Sequence, residues 1–157
     1  MKKYWPLLLI VLLLILLIFG FLSRSTLLNN YISEKMKNQT TMLDSISVAR
    51  TIESKFNYTN NKLNFDFTLI EFGSTGCTVC KQMEPVLDEV RKLENPKVNV
   101  VFLNIMHPEN LPQMKFFGVS AVPLQILLDK NGKEFFRHYG FISAADLVAE
   151  TLNQSKN

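Results

Sequence analysis

The sequence predicts an α/β fold, with a central mixed β-sheet flanked by helices and one long apolar helix ahead of it. Three observations predict this. From Asp44 onward, short β-branched and aromatic runs alternate with stretches of helical spacing. A hairpin signal, Asp129-Lys130-Asn131-Gly132, falls near the end of that alternation. Before it all stands Tyr4 to Leu22, a run without a charge.

About 20 apolar residues cross the hydrocarbon core of a bilayer as a helix, and YWPLLLIVLLLILLIFGFL has that length. Tyr4 and Trp5 sit at its start, where amphipathic rings favour the headgroup zone. Lys2 and Lys3 precede it, and Arg24 and then Lys35 and Lys37 follow; the closest positive charge is N-terminal, so the positive-inside rule places the N-terminus in the cytoplasm and the rest outside. A cleaved signal peptide is the rival reading. Against it stand the length of the run and the lack of an A-x-A-like site, since no alanine precedes Ala49. Residues 1–22 are thus expected to form a signal-anchor. Residues 23–43 are polar and are expected to form a tether or linker, although Leu27, Leu28, Tyr31, Ile32 and Met36 have some helical spacing. The domain proper is expected over 44–157.

Within it, Asp44 or Ser45 can cap a helix carrying Ile46, Ala49, Ile52 and Phe56 at helical spacing. Asn57 to Asn64 reads as a loop. Phe67 to Phe72 reads as a buried strand, ending in the turn Gly73-Ser74-Thr75-Gly76. Thr78 to Asn95 places Val79, Met83, Val86, Leu87, Val90 and Leu93 on one face, an amphipathic helix that Pro85 should kink. Val98 to Ile105 is a second strand, and Pro112 to Phe117 a short helix closed by Gly118. Leu124 to Leu128 and Glu134 to Tyr139 flank the hairpin turn, and Ser143 caps a final helix that turns Leu147, Val148 and Leu152 inward.

The formal charge of +3 over 157 residues is spread evenly, with no basic cluster interleaved with aromatics, so a nucleic-acid partner is not expected. The apolar content of 47% is concentrated in the first run, and the remainder suits a globular domain of roughly 110 residues with one core.

The chain has two cysteines, Cys77 and Cys80, in a C-x-x-C at the junction of a buried strand and a helix. Unpaired N–H groups and the helix dipole favour a thiolate at a helix start, so Cys77 is the candidate nucleophile. Cys80, one turn further in, is the candidate resolving thiol. Attack on a substrate disulfide would pass through a mixed disulfide. Two other readings stay open. A purely structural disulfide is permitted outside the cytoplasm, but so short a loop gains little closure entropy. A zinc or copper site would need ligands beyond the pair, and His107 and His138 lie in ordinary loop and strand settings. Met83 and Met106 read as core fillers. No metal and no other cofactor is expected.

LIEFGSTGCTVCKQMEPVLDEV resembles the active-site segment of the thioredoxin superfamily, with the strand, the turn, C-x-x-C, a basic residue after the second cysteine, and Pro85 in the helix. FFGVSAVPLQILLDKNGKEFFRHYGF resembles the second hallmark, in which Val122-Pro123 matches the cis-proline element and Gly140 follows the hairpin. The likeness covers roughly 44–155. It is nearest to small bacterial thioredoxin-like proteins with an FGS…CxxC segment, associated with membrane electron relays of the CcdA/DsbD type.

The resemblance implies a thioredoxin-like fold and a protein-disulfide reductase whose redox-active disulfide is Cys77–Cys80. It implies that Gly76, Val122 and Pro123 contact substrate, with the Val122 backbone pairing to it as an added strand. It places Glu71 as a buried acid beneath the cysteines, raised in pKa and able to take the proton of Cys80; the plainer alternative is that Glu71 faces a solvent channel or pairs with Lys81. Implied partners are disulfides of exported proteins such as apocytochrome c, and a polytopic thiol carrier as electron donor. The departures are equally definite. Gly76 replaces the usual Trp, Thr78-Val79 replaces Gly-Pro, and Phe102 stands where the acid's lysine partner is common. Thr-Val brings neither charge nor histidine to the thiolate, so a reductant rather than a strong oxidant is expected. The alternative function is a tethered adaptor or metal-delivery module without turnover.

Overall fold

A computed structural model describes the backbone of residues 5–156 and the side chains of residues 9–18 and 27–156. The elements are α1 (Trp5–Asn38), α2 (Met42–Phe56), α3 (Tyr58–Asn61), β1 (Phe67–Gly73), α4 (Thr78–Arg91), β2 (Val98–Asn104), α5 (Leu111–Phe117), β3 (Leu124–Leu128), β4 (Glu134–Tyr139) and α6 (Ala144–Gln154). One 3₁₀ turn, Pro108–Asn110, precedes α5.

The sheet has four strands in the order β2-β1-β3-β4. β1 pairs parallel with β2 and antiparallel with β3, and β3 pairs antiparallel with β4, so the sheet is mixed as expected. β1 is central and all seven of its residues are buried. Its alternation divides the core in two. Phe67 and Leu69 pack with Met83, Leu87 and Val90 of α4 and with Ala144 and Leu147 of α6. Ile70 and Phe72 pack on the other face with Phe117, Val119, Leu124 and Ile126.

Several boundaries differ from expectation for local reasons. α2 starts before Asp44, because Thr41 is the N-cap and its hydroxyl accepts from the Asp44 N–H at 3.1 Å. The Asn-rich stretch holds a helical turn, α3, because Tyr58 is buried and its hydroxyl meets Thr68 Oγ1 at 2.5 Å and accepts from Asn99 Nδ2 at 2.9 Å. α4 stops at Arg91 rather than Asn95. It is followed by a cis Asn95–Pro96 peptide bond. α5 ends where Gly118 turns left-handed at φ +65°.

The polar stretch expected as a tether is instead the continuation of α1, which is one helix through to Asn38. Ser33 is buried, and Arg137 Nη1 of β4 donates to its hydroxyl at 3.2 Å. Arg137 is held in turn by Glu134, Nε to Oε1 at 2.5 Å and Nη2 to Oε2 at 2.8 Å. Of the expected membrane span, the side chains of Leu9–Ile18 are described and those on either side lie outside the described residues. Among the described residues, no helix is long and apolar enough to cross a membrane.

Candidate active site

β1 delivers the chain to the site. After Gly73, the Cys77 N–H donates to the Ser74 carbonyl at 3.2 Å and closes the turn. Cys77 is then the N-cap of α4 with extended backbone (φ −88°, ψ 116°). Its Sγ takes the part an oxygen usually plays, accepting from the Cys80 N–H at 3.1 Å. The two sulfurs are joined as a disulfide with Cα atoms 5.2 Å apart. Cys77 is partly exposed and Cys80 is buried. One sulfur therefore faces solvent at the positive end of a helix, and the other faces the core. That asymmetry suits an attacking and a resolving thiol.

Glu71 lies two residues before Gly73 on the same face of β1, the face covered by α4 and α6. It is wholly buried. Burial lifts its carboxyl from the ordinary value to about 7; the Gln125 amide opposes that shift and the charge of Glu84 adds to it. Lys81 is exposed, and no ion pair joins it to Glu71 among the described residues. Phe102 is the register partner of Glu71 on β2. A Cβ built on Gly73 would meet the Phe102 ring at 2.7 Å and Cys80 Sγ at 3.4 Å. A side chain at position 73 would therefore push that half-exposed ring aside and pack against Cys80 Sγ.

The Val122–Pro123 bond is cis. Phe72 of β1 pairs with Leu124 of β3, so Pro123 is level with Gly73 at the same edge of the sheet as the cysteine turn. The Pro123 carbonyl accepts from the Gly140 N–H at 2.9 Å, which ties the end of β4 to this edge. Pro123 is buried, Val122 partly exposed and Gly76 exposed, with open space around a Cβ built on Gly76. The candidates Cys77, Cys80, Glu71 and Pro123 are thus gathered at one end of the sheet.

The histidines lie apart from the cysteines in their bonding. His107 Nδ1 is 3.3 Å from Glu109 Oε1, and His138 Nε2 is 3.0 Å from the Phe141 carbonyl. Met83 is fully buried in the core, whereas Met106 is 70% exposed and fills no core position. One polar residue of the site was missed from sequence. Gln125 is wholly buried on β3, in register with Glu71, and its Nε2 donates to Glu71 Oε2 at 3.5 Å. The signal for it was a lone amide inside the apolar strand LQILL.

Comparison with known proteins agrees with this geometry. The thioredoxin-like domain family matches residues 54–155. The chloroplast thioredoxin-like protein HCF164 of Arabidopsis thaliana is 30% identical over 95 residues, which are 60% of this chain and 36% of that one. A homologue of the thiol:disulfide interchange protein TxlA from Synechocystis is 35% identical over 65 residues, 41% of this chain and 36% of that one. The thioredoxin of Haemophilus influenzae is 34% identical over 86 residues, 55% of this chain and 77% of that one. The chain spans about a third of the length of the Arabidopsis relative. Among solved structures, a Halobacterium salinarum thioredoxin mutant superposes with a TM-score of 0.51 at 19% identity, over 62% of this chain and 80% of that one, a likeness of fold. A vicinal cysteine pair at a helix start, on a mixed sheet with a cis-proline at the same edge, is the arrangement of a thiol–disulfide oxidoreductase fold, and with the family matched over 54–155 this chain belongs to the thioredoxin-like proteins.

Proposed function

We propose that the protein is an extracytoplasmic protein-disulfide reductase or electron relay, anchored in the cell membrane by Tyr4–Leu22 with its N-terminus in the cytoplasm. The observation that carries the redox reading is the asymmetric pair, with Cys77 partly exposed at the start of α4 and Cys80 buried behind it.

In the reduced protein the Cys77 thiolate attacks a substrate disulfide. The substrate S–S bond breaks, a Cys77–substrate mixed disulfide forms, and one substrate sulfur leaves as a thiolate. Cys80 then gives its proton to the Glu71 carboxylate and attacks Cys77 Sγ, expelling the second substrate sulfur as a thiolate. Two electrons have passed to the substrate and the Cys77–Cys80 disulfide remains. A dithiol of a polytopic membrane carrier, of the CcdA/DsbD type, restores the reduced form. Gly76 and Val122, with the buried Pro123 holding the Val122 backbone, form the surface against which a substrate such as apocytochrome c or another exported protein lies extended. The anchor is supported by the uncharged run itself and by Leu9–Ile18, all of which are exposed apolar side chains in need of cover.

Reduction of insulin by the full chain, with Cys77→Ser and Cys80→Ser variants beside it, tests the reading. Wild type should reduce the hormone, both variants should fail, and Cys80→Ser should hold a mixed disulfide in membranes. Absence of both turnover and trapping would exclude the enzyme. Location is tested by a membrane-impermeant maleimide on intact cells after mild reduction. Labelling of Cys77 without lysis is expected; labelling only after lysis would put the domain on the other side.

A further inference from the structure

Glu71 and Gln125 are register partners on β1 and β3, both wholly buried on the face beneath α4 and α6. Gln125 Nε2 donates to Glu71 Oε2 at 3.5 Å. Each side chain also keeps one buried oxygen without a partner, Glu71 Oε1 and Gln125 Oε1. An unpaired buried acceptor costs about 1–3 kcal/mol. An ionised carboxylate cannot relieve the amide oxygen, because it offers acceptors only. A single proton on the carboxyl relieves both.

We infer that in the disulfide form Glu71 is a neutral acid locked to Gln125 by two reciprocal hydrogen bonds, its own O–H donating to Gln125 Oε1 while Gln125 Nε2 donates to Glu71 Oε2. Gln125 is a positioning residue: its Nε2 bond alone favours the carboxylate, whereas its Oε1, by accepting the acid's O–H, holds the proton on the carboxyl. This rests on the redox reading above and adds where the proton resides between turnovers.

The surroundings favour the neutral pair. On β2 the neighbour of Glu71 is the uncharged Phe102, and on β4 the neighbour of Gln125 is His138, whose Nε2 is engaged with the Phe141 carbonyl. α4 contributes the charge of Glu84, which disfavours a second anion, and Cys80, whose Sγ lies against Gly73 two residues further along β1. The buried residues of α6 are Ala144, Leu147 and Thr151. A carboxylate keeps one bond to the amide, whereas the acid gains two. When an incoming thiolate attacks Cys77 Sγ and breaks the disulfide, Cys80 leaves as a thiolate and takes this proton, and Gln125 is left with the single bond.

The infrared spectrum of the oxidised full-length chain tests the pair without any turnover. On the acid side of the Glu71 titration, wild type should show a hydrogen-bonded carboxylic-acid carbonyl band that Glu71→Gln lacks. Gln125→Met should move that band to higher frequency. In wild type labelled with carbon-13 at glutamine amides, the Gln125 amide carbon should shift as Glu71 titrates, a readout that needs no variant to fold. A Glu71 acid band unchanged by Gln125→Met, or a Gln125 carbon indifferent to that titration, overturns the inference. Failure of insulin reduction would instead overturn the redox reading, leaving the infrared result to stand by itself.

Discussion

Phe102 lies directly across the β1–β2 pairing from Glu71, and its ring, together with Cys80 Sγ, crowds the same side of Gly73. An aromatic ring thus occupies the position from which a cation would reach the buried acid. Replacing it, Phe102→Lys, should lower the Glu71 pKa from about 7 by roughly 1–3 units, because an opposite charge favours the carboxylate. Carbon NMR titration of the Glu71 carboxyl measures this. Phe102→Met, which brings no charge, should leave the midpoint near its present value.

Removing the acid should slow resolution rather than attack. In Glu71→Gln the Cys80 thiol would lose the proton acceptor proposed for it, and a positioned general base contributes roughly 10²–10⁴-fold. Rapid quench with a disulfide peptide should show the mixed disulfide accumulating in the variant. In wild type, the rate of its decay should rise with pH through about 7, as the carboxyl ionises. A variant that resolves as fast as wild type would remove Glu71 from the mechanism.

The same carboxyl makes folding stability depend on pH, with a definite sign. Its folded-state value of about 7 lies above the ordinary 4.5, so between these values the folded chain binds the extra proton. The contribution is fully present below pH 4.5 and is lost as pH rises through about 7, a fall of roughly 3 kcal/mol at ~1.4 kcal/mol per unit. Urea unfolding of the oxidised chain across this range measures it. Glu71→Gln should flatten the slope.

Much of this arrangement is legible in the sequence. Strands β1, β2 and β3 announce themselves as apolar runs, and the cysteines declare a helix start. Glu71 is conspicuous because a carboxylate interrupts an otherwise apolar strand. Gln125 gave the same kind of signal more weakly, since an amide is common in strands that are half-exposed, and only the pairing register shows that it meets Glu71. Tyr58 was hidden by its Asn-rich surroundings, whose turn chemistry suggested a loop, whereas its hydroxyl belongs to a buried network with Thr68 and Asn99. The second half of α1 was hidden because a polar amphipathic helix and a polar tether share a composition. Ser33, the residue that docks it, is small and unremarkable in sequence.

Tyr58 offers a direct measure of that hidden network. Tyr58→Phe leaves the buried Thr68 hydroxyl without its partner and should cost about 1–3 kcal/mol by urea unfolding. Thr68→Val in the same background should recover part of the loss, because the orphaned hydroxyl is then gone.

Docking of α1 has its own test at Gly118. This residue is left-handed, and a Cβ there would run into the backbone and hydroxyl of Ser33. Gly118→Ala should cost about 1–2 kcal/mol for the backbone alone. It should also loosen α1 from α5, seen as faster proteolysis between residues 23 and 41 with cleavage elsewhere unchanged.

Because α1 runs unbroken past Ser33, the distance from Leu22 to the docked serine is set by helical rise, roughly 16 Å over eleven residues. A floppy leash of the same length would let the thiols sweep a wide hemisphere and collide with whatever drifts by. With the proposed anchor in a bilayer, a rigid post would hold them at one height and one bearing. Partners would then be selected by where they present their sulfurs as much as by the chemistry of those sulfurs, and lengthening the post by a single turn would silence a correctly folded protein.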